Sequence, residues 1–341
     1  MGKIRIGIVG TGGVAHFHAG AYAQMRGVEL TACLDVVPAR AEAFAQQYGM
    51  KYVVSDLDEL IDRVDAVCVT TPDRFHAPVS LKVLKARRHL MCEKPLTTTL
   101  AQARRVARAA QQAHDEDGVV HMINFSYRSA PPLAEAKKLI QRGALGELRH
   151  VNSRYFQSWL SGHHWGHWSE EKWVWRLQSA SGSLGVLGDL GCHILDFTTA
   201  VVGDLKAVRC TLKTYPKIDP QGRGVTKLNG KALDANDTAL MEMQFANGVV
   251  GLCQTTRWAT GYSNTVALEV SGTQGALSID LGESGGSLKL CLGKDRHNPT
   301  WKVKQLKPVP SNFQRFIRAI RRGVPDQPDV VRGAQVQAYL D

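Results

Sequence analysis

Three short stretches carry side chains whose types and spacing suit chemistry. The first is Gly10-Thr11-Gly12-Gly13-Val14-Ala15, a G-x-G-x-x-A turn. Its glycines let the backbone fold tightly and approach a pyrophosphate, and a helix starting there offers free N–H groups and the positive end of its dipole. Asp35 follows 23 residues after Gly12, close to the spacing at which an acid meets the adenosine ribose. A carboxylate there accepts from the ribose hydroxyls and repels a 2′-phosphate, so the pattern predicts NAD, with NADP possible. Arg40, inside the following helix, is either a partner for a 2′-phosphate or simply solvated. The second stretch is Glu93-Lys94-Pro95. A lysine ammonium can donate to a substrate hydroxyl and lower its pKa; the plainer reading is a surface lysine. The third is Gly188-Asp189-Leu190-Gly191-Cys192-His193. Asp189 and His193 are four apart and share one face of a helix. An imidazole beside a carboxylate can take a hydroxyl proton near neutral pH. The apolar neighbours Leu187, Leu190, Ile194 and Leu195 argue against a merely solvated pair.

The elements that must position these residues follow from the hydrophobic pattern. Over the first ~125 residues, strand and helix patterns alternate. Residues 4–9, 29–35, 65–70, 89–93 and 119–124 read as strands, and 14–26, 38–48, 75–86 and 99–113 as helices. Near-continuous apolar strands in repeated βα units predict a doubly wound parallel sheet. Lys94 then falls at the carboxyl end of a strand, where open α/β sheets bind ligands. After about residue 146 strands follow one another directly: 147–157, 206–215, 238–245, 249–257, 265–271, 276–280 and 287–292. Asn247-Gly248 between two such runs is a hairpin signal. A helix at about 186–202 carries Asp189 and His193, and a basic helix follows at about 312–322. The expected fold class is α/β plus α+β. A Rossmann domain over 1–125 precedes a substrate-binding and oligomerisation domain over 126–341 built on a large, mostly antiparallel open sheet.

Five of the seven tryptophans lie between 159 and 175, interleaved with His163, His164 and His167. Aromatic faces pack against the C–H face of a sugar, and imidazoles or Arg176 can bond its hydroxyls. The segment is therefore read as a substrate-facing loop. A subunit-contact or core cluster is the alternative. A metal site is the weakest reading: His163 and His167 are four apart, but no Cys or Asp nearby completes a set, and Glu170 and Glu171 are the only candidate partners.

The chain has 341 residues, about two domains' worth. Its net charge is +11. Residues 81–92 and 301–323 carry four and seven basic side chains without an acid, so these two segments hold the whole excess. No helix-turn-helix, zinc-finger or RNA-binding pattern accompanies them, which excludes nucleic acid as the expected partner. The faces are read as solvated, or as steering an anionic substrate. No apolar run is long enough to span a membrane, and the N-terminus has no signal-peptide pattern. Seven cysteines without a CxxC pair fit buried free thiols in a reducing cytoplasm.

Taken in order, the G-x-G-x-x-A turn, Thr70-Thr71-Pro72 with His76, Glu93-Lys94-Pro95 and the Gly188–His193 run resemble the Gfo/Idh/MocA family of oxidoreductases. Asn236-Asp237-Thr238-Ala239 and Ser271-Gly272-Thr273-Gln274-Gly275 resemble its later sheet motifs. One departure is Ser181-Gly182-Ser183, where the family is richer in glycine. The resemblance implies a dinucleotide-binding domain and a sheet domain that often forms a dimer or tetramer interface. It implies Lys94 as catalytic lysine, His193 as proton acceptor and Asp189 as the substrate-orienting carboxylate. Cofactor contacts are expected from Gly10, Thr11, Gly12, Gly13, Val14, Asp35, Thr71, Pro72, His76, Glu93 and Lys94. Substrate contacts are expected from Lys94, Tyr127, Trp165, Trp175, Arg176, Asp189 and His193. The leading expectation is a dehydrogenase acting on a secondary alcohol of a sugar or cyclic polyol. The alternatives are an NAD-dependent glycoside hydrolase with a transient redox step and a non-catalytic sugar or dinucleotide sensor.

Overall fold

The computed structural model describes residues 2–282 and 286–341. The apolar run Ile4–Val9 forms strand β1 and ends at Gly10, whose φ of +89° lies in the left-handed region. There follow α1 (Gly13–Ala23), β2 (Val28–Leu34), α2 (Pro38–Tyr48), β3 (Tyr52–Val53), α3 (Leu57–Arg63) and β4 (Ala66–Val69). Next come α4 (His76–Lys85), β5 (His89–Cys92), α5 (Leu100–Asp117) and β6 (His121–Ile123). Local signals set the ends. Pro38 opens α2 and Gly49 closes it in the left-handed conformation. The Thr99 hydroxyl accepts from Gln102 N at the start of α5, and Gly118 ends it.

The six strands pair in parallel in the order β3-β2-β1-β4-β5-β6. β4 is buried along its length, as a strand covered on both faces must be. The strand order reverses between β1 and β4, which opens a crevice at their carboxyl ends. This is the doubly wound sheet that the alternating pattern predicts.

A second unit spans Ser126–Val309 with Leu340. It contains α6 (Pro131–Gln141), β7 (Leu148–Gln157), α7 (Glu171–Val174), α8 (Cys192–Val202) and β8 (Leu205–Lys213). Four two-residue strands, β9 (Lys217–Ile218), β10 (Gly224–Val225), β11 (Lys227–Leu228) and β12 (Lys231–Ala232), form two small ribbons. The main strands continue with β13 (Thr238–Phe245), β14 (Val250–Thr256), β15 (Asn264–Gly272), β16 (Gly275–Leu281), β17 (Ser287–Leu292) and β18 (Lys302–Val303). Eight strands line up as β18-β17-β16-β15-β7-β14-β13-β8, antiparallel except for β7 beside β14. The alternation along β13 and β14 buries one face and exposes the other.

The last two helices, α9 (Asn312–Arg322) and α10 (Val330–Leu340), belong mainly with the first unit, which comprises Met1–Phe125, Pro310–Tyr339 and Asp341. The expected boundary placed all of 126–341 in the second domain. The difference has a packing cause: Phe316, Ile317 and Ala319 of α9 lie in one apolar core with Ile6, Ile8, Ala15 and Tyr22. The basic residues of α9 occupy its other faces, so its charge run hides an amphipathic helix. Several of the basic side chains in the two segments are paired with acids. Lys82 meets Asp58, Arg87 meets Glu116 and Asp117, Lys302 meets Asp295, and Arg315 meets Asp326. Among the described residues no helix is long and apolar enough to cross a membrane.

Candidate active site

The glycine turn joins β1 to α1. A Cβ on Gly10 would lie 2.9 Å from Thr70 O and Thr71 N, so only glycine lets the turn sit against the loop after β4. Gly12 and Gly13 face open space, and no side chain caps the start of α1. The N–H groups of that first turn are therefore available to an anion. Asp35 sits at the end of β2 with its side chain only 4% exposed. Its Oδ2 accepts from Thr11 N at 2.7 Å and Thr11 Oγ1 at 2.9 Å, and its Oδ1 from Val37 N at 2.9 Å. Burial pushes this carboxyl up, but the bonds from Thr11 and Val37 and the nearby Arg40 outweigh it and hold the pKa below the ordinary value. An ionised carboxylate has about four acceptor sites, so these bonds leave capacity for a ribose hydroxyl. Arg40 lies 3.7 Å from Asp35 and is half exposed. The turn, the open helix start and the acid fit a dinucleotide.

Lys94 follows β5, and the Lys94–Pro95 peptide is cis. Beneath it Glu93 is buried: His18 Nε2 donates to its Oε1 at 2.8 Å, Asn124 Nδ2 to the same oxygen at 2.6 Å, and Lys94 N to Oε2 at 3.2 Å. Asn312 of α9 donates in turn to Asn124 Oδ1 at 3.2 Å. Burial raises the Glu93 pKa, but the bonds from His18 and Asn124 and the charge of Lys94 bring it down to about 2. The Glu93 carboxylate is thus committed inside the protein, under the lysine. His76, at the start of α4, has Nδ1 2.7 Å from Pro95 O and Nε2 2.8 Å from Thr71 O. It ties the loop after β4, with Thr71 and Pro72, to the loop after β5, with Lys94.

In the second unit Asp189 lies in a π-helical turn, Leu187–Gly191, that runs directly into α8. π turns are rare and often mark functional positions. The sequence spacing predicts one regular helix here; the structure widens its first turn and keeps Asp189 and His193 one turn apart. His193 is 8% exposed. Its ring meets Tyr127 edge-on at 5.1 Å and Tyr155 at 6.2 Å. Tyr155 donates to Asn264 Oδ1 at 2.9 Å, Asn264 Nδ2 donates to Tyr127 Oη at 3.1 Å, and the two hydroxyls lie 2.9 Å apart. Burial pushes the Tyr155 phenol well above its usual pKa, helped by Tyr127 and by the charge of Asp189. Arg128 grips Asp196 of α8 with two 2.6 Å bonds, fixing the helix that carries His193.

Two of the clustered tryptophans, Trp159 and Trp168, belong to a buried core with Leu160, Leu177 and Leu233. This is the packing alternative to a substrate-facing loop. Trp165 stacks on Trp173, whose Nε1 donates to Trp165 O. Arg176 lies over Trp175 at 4.4 Å and over Trp173 at 5.2 Å, with Nε 4.0 Å from Asp189 Oδ2. His163 and His167 stack at 5.0 Å, and among the described residues no three His, Cys, Asp or Glu side chains gather as a metal site.

The structure therefore gathers Gly10, Thr11, Asp35, Thr71, Pro72, His76, Glu93 and Lys94 around the strand ends of the first unit. It gathers Tyr127, Asp189, His193, Trp175 and Arg176 in the second. Sequence reasoning missed Tyr155 and Asn264, Gln157, whose Nε2 donates to Asn264 Oδ1 at 2.8 Å, and Arg257, whose Nη2 donates to Asp189 Oδ2 at 3.0 Å. The signal for three of them was parity: Tyr155 and Gln157 fall at inward positions of β7, and Arg257 continues the inward alternation of β14 one residue past its end, where a polar residue needs a partner.

Comparison with known proteins agrees with this layout. Residues 4–121 match the family profile described as "Oxidoreductase family, NAD-binding Rossmann fold", and residues 133–278 match "GFO/IDH/MocA C-terminal domain". The chain is 30% identical to levoglucosan dehydrogenase of Pseudarthrobacter phenanthrenivorans over 315 residues, 87% of this chain and 78% of that one. It is 25% identical to inositol 2-dehydrogenase of Rhizobium meliloti over 342 residues, 99% and 95% of the two chains. The solved structure of levoglucosan dehydrogenase in complex with NADH and levoglucosan superposes with a TM-score of 0.84 at 26% identity, covering 98% of this chain and 94% of that one. The chain belongs to the Gfo/Idh/MocA family of oxidoreductases, with an NAD-binding Rossmann domain at its N-terminus.

Proposed function

We propose that the protein is an NAD-dependent dehydrogenase that oxidises a secondary alcohol of a sugar or cyclic polyol. The observation that carries this reading is His193, buried among aromatic rings one turn from Asp189, in a chain whose first unit holds a dinucleotide turn and Lys94. The relatives named for levoglucosan and inositol support the substrate class. NAD, when bound, accepts the hydride from the substrate carbon. The protein's part is to manage the proton. The Lys94 ammonium donates to the reacting oxygen and lowers its pKa. His193 takes the hydroxyl proton as the carbonyl forms, so the alcohol loses one hydride and one proton. Asp189 accepts from a neighbouring hydroxyl and orients the ring. Tyr127, Trp165, Trp175 and Arg176 complete the substrate contacts.

The test is turnover of NAD with a panel of inositols, pyranoses and anhydrosugars. Lys94→Ala and His193→Ala are expected to lower kcat/KM by about 10²–10⁴-fold, the usual contribution of a positioned proton-transfer group. Losses within about threefold would overturn these roles. The protein is further read as a homodimer or homotetramer joined through the large sheet. Leu240, Val250 and Leu252 lie about half exposed on its outer face, which supports that reading. All seven cysteines are free, which supports a cytoplasmic setting. Light scattering of the purified protein and of Leu252→Asp tests the assembly.

A further inference from the structure

Arg257 stands one residue beyond β14 and points inward with no solvent exposure. Its Nη2 donates to Asp189 Oδ2 at 3.0 Å and its Nη1 to Arg176 O at 3.1 Å. Its guanidinium lies 5.1 Å from the ring centre of Trp159. Its backbone is fixed as well, because Arg257 N donates to Asp237 O at 3.1 Å and Leu160 N donates to Arg257 O at 3.2 Å. Asp237 itself is anchored by a fully buried bond from Lys217 Nζ at 2.6 Å. Arg257 is therefore held at both its backbone and its guanidinium, and its one carboxylate partner in this set is a residue assigned to the reaction.

A guanidinium stays protonated at any working pH. Removed from water, it needs a carboxylate beside it, and separating the two is costly. The pair therefore keeps Asp189 ionised and confines its rotation. Arg176, resting on Trp173 and Trp175, approaches the same Oδ2 from its own side. The aromatic cluster thereby acquires a use that sugar stacking does not require: it supplies flat faces for two guanidiniums, one bonded to Asp189 Oδ2 and one 4.0 Å from it.

We propose that Arg257 is the positioning residue of the Asp189–His193 site, fixing the Asp189 carboxylate as an ionised acceptor for a substrate hydroxyl. This rests on the reading of Asp189 given above. It predicts that loss of the guanidinium acts on sugar binding and leaves the dinucleotide alone.

The experiment compares wild type with Arg257→Lys, Arg257→Ala and Asp189→Asn. Folding is followed by circular dichroism, NAD affinity by fluorescence, and KM and kcat with levoglucosan, myo-inositol or whichever panel sugar the wild type oxidises. Arg257→Ala is expected to keep its NAD affinity and lose about 100-fold in kcat/KM, mostly through KM. Methylguanidinium should restore part of that loss, and Arg257→Lys should fall about tenfold. A folded Arg257→Ala within threefold of wild type, or a loss that methylguanidinium does not touch, overturns the proposal. If Asp189→Asn is itself unimpaired, the reading of Asp189 fails instead. A crystal structure of Arg257→Lys gives a readout without turnover: Asp189 should leave its wild-type position, and an unmoved carboxylate overturns the proposal.

Discussion

His76 Nδ1 lies 2.7 Å from the carbonyl oxygen of Pro95, while its Nε2 lies 2.8 Å from that of Thr71. Two carbonyl oxygens accept and cannot donate, so both ring nitrogens must carry protons. Burial opposes a charged ring, but the Cys92 sulfur, Asp73 and the Pro95 carbonyl outweigh it and push the pKa up to about 10. The ring is expected to be an imidazolium at pH 8. A long-range ¹⁵N–¹H spectrum should then show both His76 nitrogens protonated, and a neutral-ring pattern would falsify the assignment. Because the folded pKa is raised, the stabilisation is fully present below about pH 6.5 and is lost as pH rises towards 10. His76→Gln, whose amide does not titrate in this range, should remove that alkaline loss.

Glu93 has the opposite sign. Its folded pKa is brought from 4.5 down to about 2, so its contribution is present above about pH 5 and disappears as pH falls towards 2. The shift corresponds to about 3 kcal/mol. Urea unfolding of wild type and Glu93→Gln at pH 7, 5 and 3 checks this. The stability gap between them should shrink with acidity; a constant gap would sink the argument.

Asp35 is tied to the glycine turn through Thr11 before any cofactor arrives. Asp35→Ser should therefore weaken NAD binding by about tenfold to a hundredfold, the worth of a lost charge-assisted bond. NADP should suffer less, because the repulsion of its 2′-phosphate goes too. Titration calorimetry with both dinucleotides measures the ratio, and an unchanged NAD/NADP preference would count against Asp35 as the selector.

Lys217 and Asp237 form an ion pair in which neither side chain is exposed. Burial lowers the lysine's pKa while Asp237 supports its charge. Removing one partner strands a buried charge, so Asp237→Ala should cost about 3–5 kcal/mol in a denaturant melt. A double replacement by apolar residues should recover much of that. Equal stability of the single variant and wild type would show the pair to be dispensable.

Hydrophobic periodicity determined most of the strands and helices that frame the site, though not the two-residue strand β3 or the helices α3 and α6. It also placed Lys94 at a strand end and put Asp189 and His193 one turn apart. These features depend on backbone geometry and neighbours a few residues away. Tertiary structure decided the rest, because the partners are distant along the chain. Arg257 reaches Asp189 across 68 positions, and Tyr155 reaches Asn264 across 109. Which polar side chains meet inside the sheet depends on β7 lying between β14 and β15, and no local pattern states that order. The basic run at 312–322 shows the same limit. Its charges were plain in the sequence, and so was the helical spacing of Phe313, Phe316, Ile317 and Ile320, but which unit that apolar face enters is decided only by the core that receives Phe316 and Ile317. A polar or charged residue advertises its chemistry locally, whereas its burial, and hence its partner and protonation, is a property of the packed fold.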